Sequence, residues 1–178
     1  MTRLPEMISM FAACLVLARP ALAQDDEIGL PLGSAPPASI QVETLDGQPV
    51  NLGSYVGKKP VLVEFWATWC PICKAILPKL EETRQKHSDK VDFLVVAVGV
   101  NETPRSIKRH LEQHPMKFTV FWDGKGAAVR AFEAPATSYI IGMNAQGKVV
   151  YTGMGEKQDL EAAVAKVLEG VVRDGKRR

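Results

Sequence analysis

Two cysteines, Cys70 and Cys73, are the residues of this chain whose type and spacing are best suited to chemistry. They stand between an apolar run at residues 61–65, typical of a strand, and a run of helix formers that begins at Lys74. Cys70 is therefore expected at the N-terminus of a helix, where unpaired backbone N–H groups and the helix dipole stabilise an anion such as a thiolate. We predict that Cys70 is the nucleophilic thiolate and that Cys73, one turn into the helix and less exposed, closes a disulfide with it.

The same cysteine pair is compatible with other uses. It could staple a loop or share a zinc ion, but zinc normally takes four ligands, and no second Cys or Cys/His pair stands at a suitable spacing. It could also bind copper in a metallochaperone, which would need a third ligand, such as His or Met, that the sequence does not assign. His110 and His114 have an i, i+4 spacing that can bind metal, but the acid of an HExxH motif is missing, so we predict surface histidines and no metal site.

The residues around the cysteines resemble the active-site segment of the thioredoxin superfamily. This segment reads VEFWATWCPICK, and Pro78 follows the second cysteine by five residues. A hairpin signal around Asp46-Gly47 precedes it, and the mature chain as a whole is similar to the extracytoplasmic TlpA/ResA/CcmG group of thiol–disulfide oxidoreductases. The resemblance implies an α/β, thioredoxin-like fold: a central mixed β-sheet flanked by helices on both faces, with an N-terminal β-hairpin and a central insertion.

Glu64 is the one polar residue of the apolar strand before the cysteines. Simple alternation could point it at solvent, but Val63 and Phe65 on either side are typical of a strand that is buried on both faces. Six residues before Cys70, Glu64 also matches the buried acid that thioredoxin-like proteins keep beneath the cysteine pair. Since burial raises the pKa of a carboxyl, the role implied by the resemblance is proton exchange with Cys73 near neutral pH.

The resemblance also implies a surface that contacts substrates. Trp69 is expected to shield the dithiol and to offer partners an apolar contact, whereas Trp66 is expected to pack inside. Pro71 and Ile72, between the two cysteines, complete this side of the predicted surface and contribute no charge.

A second part of the predicted substrate surface lies at Pro135. Thioredoxin-like proteins place a cis-proline opposite the cysteine pair, where the preceding backbone, here Ala134, pairs with a bound peptide. This chain departs from the usual pattern, because Ser138 intervenes before the apolar strand that begins at Tyr139. Either a bulge absorbs the extra residue or the strand takes a different register.

The remaining elements follow from periodicity and turn signals. We predict a hairpin around Asp46-Gly47, a buried strand at residues 91–100, a helix capped by Thr103, a strand at 116–122, a short helix at 127–132 that Asp123 could cap, a hairpin joining 137–143 to 148–152, and a last helix at 157–171.

Length and composition fit one globular domain that follows an N-terminal signal for export. The chain has 178 residues and a net charge of +2, with no basic field that would indicate nucleic-acid binding. We predict a signal peptide at residues 1–23 with cleavage near Ala23, although an uncleaved anchor is an alternative. A linker at 24–38, a thioredoxin-like domain at 39–172 and a basic tail at 173–178 follow.

Together these features predict a thiol–disulfide oxidoreductase in the periplasm or another extracytoplasmic space. It would act without a cofactor, as a monomer, and most naturally as a protein-disulfide reductase for exported proteins. The resemblance implies apocytochrome c or a copper-site protein as a client and a membrane protein as the electron donor. An oxidant or isomerase role, and a copper-binding metallochaperone, remain the alternatives.

Overall fold

The structure, a computed structural model, describes residues 28–174. The strands are β1 (Gln41–Thr44), β2 (Pro49–Asn51), β3 (Val61–Trp66), β4 (Asp92–Val98), β5 (Thr119–Asp123), β6 (Tyr139–Met143) and β7 (Val149–Met154). The helices are α1 (Pro71–His87), α2 (Pro104–Gln113), α3 (Ala127–Ala131) and α4 (Leu160–Asp174). The predicted signal peptide, the first residues of the predicted linker and the last four residues of the chain lie outside this description.

The strands form one mixed sheet in the order β2-β1-β5-β4-β3-β6-β7. Its centre is parallel, because β3, β4 and β5 run side by side and are joined through the crossover helices α1 and α2. The hairpin of β1 and β2 adds antiparallel to β5, and the hairpin of β6 and β7 adds antiparallel to β3. This arrangement confirms the predicted mixed sheet with an N-terminal hairpin.

Alternation along β3 divides the core into two layers. Val63 and Phe65 face one side, where Ile107 of α2 and Ala128 of α3 join the same buried cluster. Leu62 faces the other side, which is covered by buried side chains of α1 and α4, namely Ile76, Leu80, Leu160, Ala163, Val164 and Val167. Helices therefore cover both faces of the sheet, as predicted.

Helix capping follows the local sequence closely. Thr103 is the N-cap of α2: its hydroxyl accepts the Ser106 N–H at 3.1 Å, and its own N–H donates to the Ser106 hydroxyl at 2.9 Å. At α3 the N-cap is Gly126, with a left-handed φ of 66°. Asp123 caps that helix from further back, because its carboxylate accepts the Val129 N–H at 2.9 Å.

Part of the segment predicted as a linker belongs to the folded domain. Gly33 donates its N–H to the Val149 carbonyl at 2.7 Å, and Val149 donates back to the Ser34 carbonyl at 2.9 Å. The Tyr139 hydroxyl donates to the Ile28 carbonyl at 3.2 Å. Residues 28–34 thus extend the domain beyond its predicted start.

Three predicted boundaries differ from the structure by more than two residues. The strand expected at residues 116–122 begins at Thr119, and the helix expected from residue 157 begins at Leu160. That helix reaches Asp174, so it includes the first residues of the predicted tail. Among the described residues, no helix combines the length and apolar character needed to cross a membrane.

Candidate active site

Cys70 and Cys73 meet at the start of α1. The helix begins at Pro71, whose missing N–H costs nothing at a position where that group would be unpaired. Cys70 is the N-cap, and its sulfur accepts the Cys73 N–H at 3.1 Å. The two residues are joined by a disulfide, with their Cα atoms 5.3 Å apart. A cap position at the positive end of the helix is suited to stabilising negative charge on the Cys70 sulfur.

The disulfide is enclosed, although the residues around it are open to solvent. Cys70 is 2% exposed and Cys73 0%, so Cys73 is the less exposed of the two, as predicted, by a small difference. Trp69 is 47% exposed and Ile72 45%, and Pro71 is exposed as well. A partner that approaches this end of α1 therefore meets apolar side chains first and the Cys70 sulfur next.

Glu64 lies inside the sheet, 1% exposed, between Val95 of β4 and Ile140 of β6. Neither of its carboxyl oxygens has a hydrogen-bond partner among the described residues. Burial raises the pKa of the Glu64 carboxyl to about 8, because no opposite charge offsets the loss of water. The solvent-facing alternative for this residue is excluded.

The side of the sheet that Glu64 faces follows from its neighbours in β3. Leu62, two residues earlier, packs in the cluster that contains Ile76 of α1, and side chains two apart along a strand share a face. The Glu64 carboxyl therefore lies on the sheet face that α1 covers with Ile76, whereas Cys73, at the start of that helix, packs in the cluster of Val63 and Phe65.

The two tryptophans before the cysteines have different environments. Trp66 is fully buried, and its ring centroid lies 5.7 Å from that of His110. Trp69 is half exposed, and its indole N–H donates to the Val100 carbonyl at 2.8 Å. One edge of the Trp69 ring is thus anchored while the rest is available to a partner.

The prediction of a cis-proline at Pro135 is wrong. No peptide bond among the described residues is cis, so Pro135 follows Ala134 through a trans bond. The chain instead reaches β6 through a turn in which Ser138 takes a left-handed φ of 65°. Ser138 donates its N–H to the Phe65 carbonyl at 2.7 Å, which places the end of this turn beside the end of β3. The turn absorbs the extra residue, and Pro135 itself is exposed.

Glu102, which was not predicted to belong to the site, is tied to the loop before the cysteines. It is 8% exposed and accepts the Thr68 N–H at 2.7 Å, as well as the Thr68 hydroxyl. Its second oxygen accepts the Ser106 hydroxyl at 3.0 Å. The available sequence signal is an acidic residue placed between the end of a buried strand and the N-cap Thr103.

A groove of about 730 Å³ lies along α1, on the side that faces the end of α2. His110 and His114 line it with their ring centroids 4.7 Å apart, and Lys74 lies at its edge. Partial burial lowers the pKa of His110, and the nearby His114 and Lys74 lower it further. In the part of the chain that the structure describes, no three His, Cys, Asp or Glu side chains are grouped to hold a metal ion.

Comparison with known proteins agrees with this geometry. The profile of the Redoxin family matches residues 31–168. The thiol–disulfide oxidoreductase ResA of Bacillus thuringiensis subsp. konkukian is 30% identical over 130 residues, covering 71% of this chain and 73% of the relative. The thiol–disulfide oxidoreductase YkuV of Bacillus subtilis is also 30% identical over 130 residues, covering 70% and 86%.

Solved structures share the fold. A thiol:disulfide interchange protein of the thioredoxin family from Chlorobium tepidum superposes with a TM-score of 0.63 at 24% identity, covering 78% of this chain and 98% of that one. The family profile, the relatives and the disulfide at the start of α1 lead to one conclusion. The chain belongs to the Redoxin family, and it is a ResA-like thiol–disulfide oxidoreductase with a thioredoxin-like fold.

Proposed function

We propose that this protein is an exported protein-disulfide reductase that uses Cys70 as nucleophile and Cys73 as resolving thiol. The observation that carries the proposal is the disulfide between an N-cap cysteine and a cysteine inside the helix, which follows directly on the strand that holds the buried Glu64. Export is supported by the signal-peptide pattern of residues 1–23, with its small residues at Ala21 and Ala23.

The reaction transfers two electrons through two sulfur–sulfur exchanges. In the reduced protein, the Cys70 thiolate attacks one sulfur of a substrate disulfide, forms a mixed disulfide and releases the first substrate thiol. The Cys73 sulfur then attacks the Cys70 sulfur, which breaks the mixed disulfide and releases the second substrate thiol. The product is the Cys70–Cys73 disulfide seen here, and a membrane-bound dithiol donor would restore the reduced form.

Glu64 supplies and accepts the proton of Cys73 in this scheme. With a pKa of about 8, its carboxyl is mostly protonated at neutral pH while the disulfide is closed. When a donor thiolate attacks the Cys70 sulfur, Cys73 leaves as a thiolate and takes that proton. During substrate reduction the direction reverses: the Glu64 carboxylate takes the proton of Cys73 as this thiol becomes the attacking group.

Partner proteins would first contact the apolar residues at this end of the domain. Trp69, Pro71 and Ile72 are open to solvent beside the disulfide, and burial of apolar surface is a main source of affinity between proteins. Ala134 and Pro135 precede the turn that meets the end of β3. The Ala134 N–H is donated to the Val129 carbonyl at 2.9 Å and Pro135 has no N–H, so an extended peptide would pair here with backbone carbonyls. Exported proteins with disulfides, apocytochrome c among them, are the proposed clients.

Trapping experiments test the assignment of the two cysteines. Cys73→Ser should accumulate mixed disulfides between Cys70 and its clients, since the resolving attack is missing, and Cys70→Ser is the matched control that should trap none. Mass spectrometry of the trapped species would identify the clients. Adducts formed through Cys73 in the Cys70→Ser control would overturn the assignment.

The direction of electron flow has its own test. The reduction potential of the Cys70–Cys73 couple, measured against glutathione, should lie toward the reducing end of the range of roughly −270 to −120 mV covered by such motifs. A value at the oxidising end would exclude the reductase role and leave an oxidant.

A further inference from the structure

The loop between β4 and α2 holds both residues that directly precede Cys70. Thr68 gives its backbone N–H and its hydroxyl to one oxygen of Glu102, and Trp69 gives its indole N–H to the Val100 carbonyl. Glu102 is 34 residues away from Thr68 in sequence. The parallel pairing of β3 with β4 brings the two loops together, because the C-terminal ends of parallel strands lie at the same edge of a sheet.

Glu102 is itself firmly placed. Its second oxygen accepts the hydroxyl of Ser106, which belongs to the capping box that Thr103 begins. A carboxylate that accepts three hydrogen bonds in a nearly buried position is a strong and directional anchor.

We propose that Glu102 is a positioning residue for partner recognition. It fixes Thr68, so that the exposed ring of Trp69 stands beside Cys70 in the orientation that a protein substrate contacts. This inference rests on the proposed exchange reaction at Cys70. Glu102 touches neither the sulfurs nor the substrate, and it acts through the backbone of Thr68.

The proposal predicts different effects on the reduction of protein disulfides and of small disulfides. A protein disulfide must place a polypeptide against Trp69 before its sulfur reaches Cys70, which is only 2% exposed. A small disulfide has no polypeptide to place and needs only access to the sulfur. Loss of the Glu102 anchor should therefore weaken the binding of protein substrates and spare the chemistry of small ones.

Two probes and a pair of variants test this separation. The protein is mixed with insulin, or with bis(2-hydroxyethyl) disulfide, over a range of concentrations. Excess dithiothreitol regenerates the reduced protein, and the rate without the protein is subtracted. Glu102→Ala should lower kcat/KM for insulin by about tenfold through KM, and change the rate with the small disulfide by less than about twofold. Glu102→Gln should restore the insulin value, because its amide oxygen can accept the same two hydrogen bonds from Thr68.

Two further variants serve as controls. Glu112→Ala removes an exposed acid from the same helix α2, away from the contact with Thr68, and should leave both probes unchanged. If Glu102→Ala does not fold, Thr68→Val removes one hydrogen bond at the same contact and should shift KM for insulin in the same direction by a smaller factor.

The outcomes distinguish this inference from the proposed function. Equal losses with both probes, an unchanged KM for insulin, or no recovery in Glu102→Gln would overturn the positioning role while the exchange reaction stands. A wild-type protein that reduces neither probe would overturn the proposed function and the inference with it.

Discussion

Ser138 donates its backbone N–H to the Phe65 carbonyl at 2.7 Å, one residue before β6 begins to pair with β3. It does so with a φ of 65°, a conformation that non-glycine residues rarely adopt and that costs about 1–2 kcal/mol. The Ser138 carbonyl accepts the side-chain amide of Gln158 at 3.0 Å. A strained residue held from both sides thus joins the Pro135 turn to the strand beside Glu64.

Substitution of Ser138 tests this strain. Ser138→Gly should leave the free energy of unfolding within about 1 kcal/mol of the wild type, since relief of strain offsets the greater freedom of glycine in the unfolded chain. Ser138→Val should lower it by about 2 kcal/mol or more, because a β-branched residue is poorly tolerated at positive φ. Urea denaturation of the oxidised protein measures both, with Ala136→Val as an exposed control without positive φ. Equal effects of the two Ser138 variants would contradict this explanation.

The buried carboxyl of Glu64 should make stability depend on pH. Its pKa is raised from 4.5 to about 8 in the folded, oxidised protein. Below about pH 4.5 the carboxyl is protonated in both states, and its neutral form is compatible with burial. As pH rises toward 8 only the unfolded chain releases the proton, so the free energy of unfolding falls by at most about 1.4 kcal/mol per pH unit.

Denaturant unfolding of the wild type and of Glu64→Gln between pH 5 and pH 8 measures this loss. The variant cannot titrate at this position, so the difference in stability between the two proteins should change in its favour as pH rises. Parallel pH dependences would show that Glu64 already ionises at its ordinary pKa in the folded protein.

Glu64→Gln should also slow the chemistry of the disulfide. Without the proton of Glu64, Cys73 must leave as an unprotected thiolate, and loss of a general acid commonly costs about 100-fold or more in rate. Stopped-flow fluorescence after mixing the oxidised protein with dithiothreitol reports the rate, and its pH profile should lose an inflection near 8. Glu82→Gln, which removes an exposed acid from α1, the helix that carries Cys73, is the control. An unchanged rate in Glu64→Gln would assign the proton to water.

Gly142 tests the packing of α4 over the sheet. A Cβ at this position would lie 2.8 Å from the Val167 side chain and 2.9 Å from that of Leu62. Gly142→Ala should therefore lower the free energy of unfolding by about 1–3 kcal/mol through overpacking. Val167→Ala frees space at the same contact, so the double variant should lose less than the sum of the single variants. Additive losses of the free energy of unfolding, measured by urea denaturation, would show that the contact with Val167 is not the cause of the destabilisation.

Features encoded by neighbouring residues could be predicted from the sequence. The junction of β3 and α1 follows from an apolar run, a cysteine that can cap and a proline at the first helical position. The start of α2 follows in the same way from Thr103 and Pro104. The burial of Glu64 could be inferred because the strand around it is apolar on both faces.

Contacts between distant segments could not be predicted. The contact of Glu102 with Thr68 depends on the register of β3 against β4, which aligns Trp66 with Ala97. No local pattern specifies that register to the single residue on which the hydrogen bond depends.

The prediction for the turn after Pro135 was wrong for another reason. Its direction depends on left-handed conformations at Glu133 and Ser138, and neither residue type favours that region strongly enough to mark it in a sequence. The family pattern therefore indicated a cis-proline where an additional residue carries the chain into β6 through a different turn.

Because Glu64 lies between two neighbouring strands, the reactivity of the protein depends on whether the chain is folded. In an unfolded chain this side chain is an ordinary solvated acid, and Cys70 is an ordinary thiol with no helix end beside it. The shifted acidity of Glu64 exists only after β4 and β6 have closed on either side of β3. Tuned reactivity is thus a property of the assembled sheet, and unfolding would remove it without any change to the covalent structure.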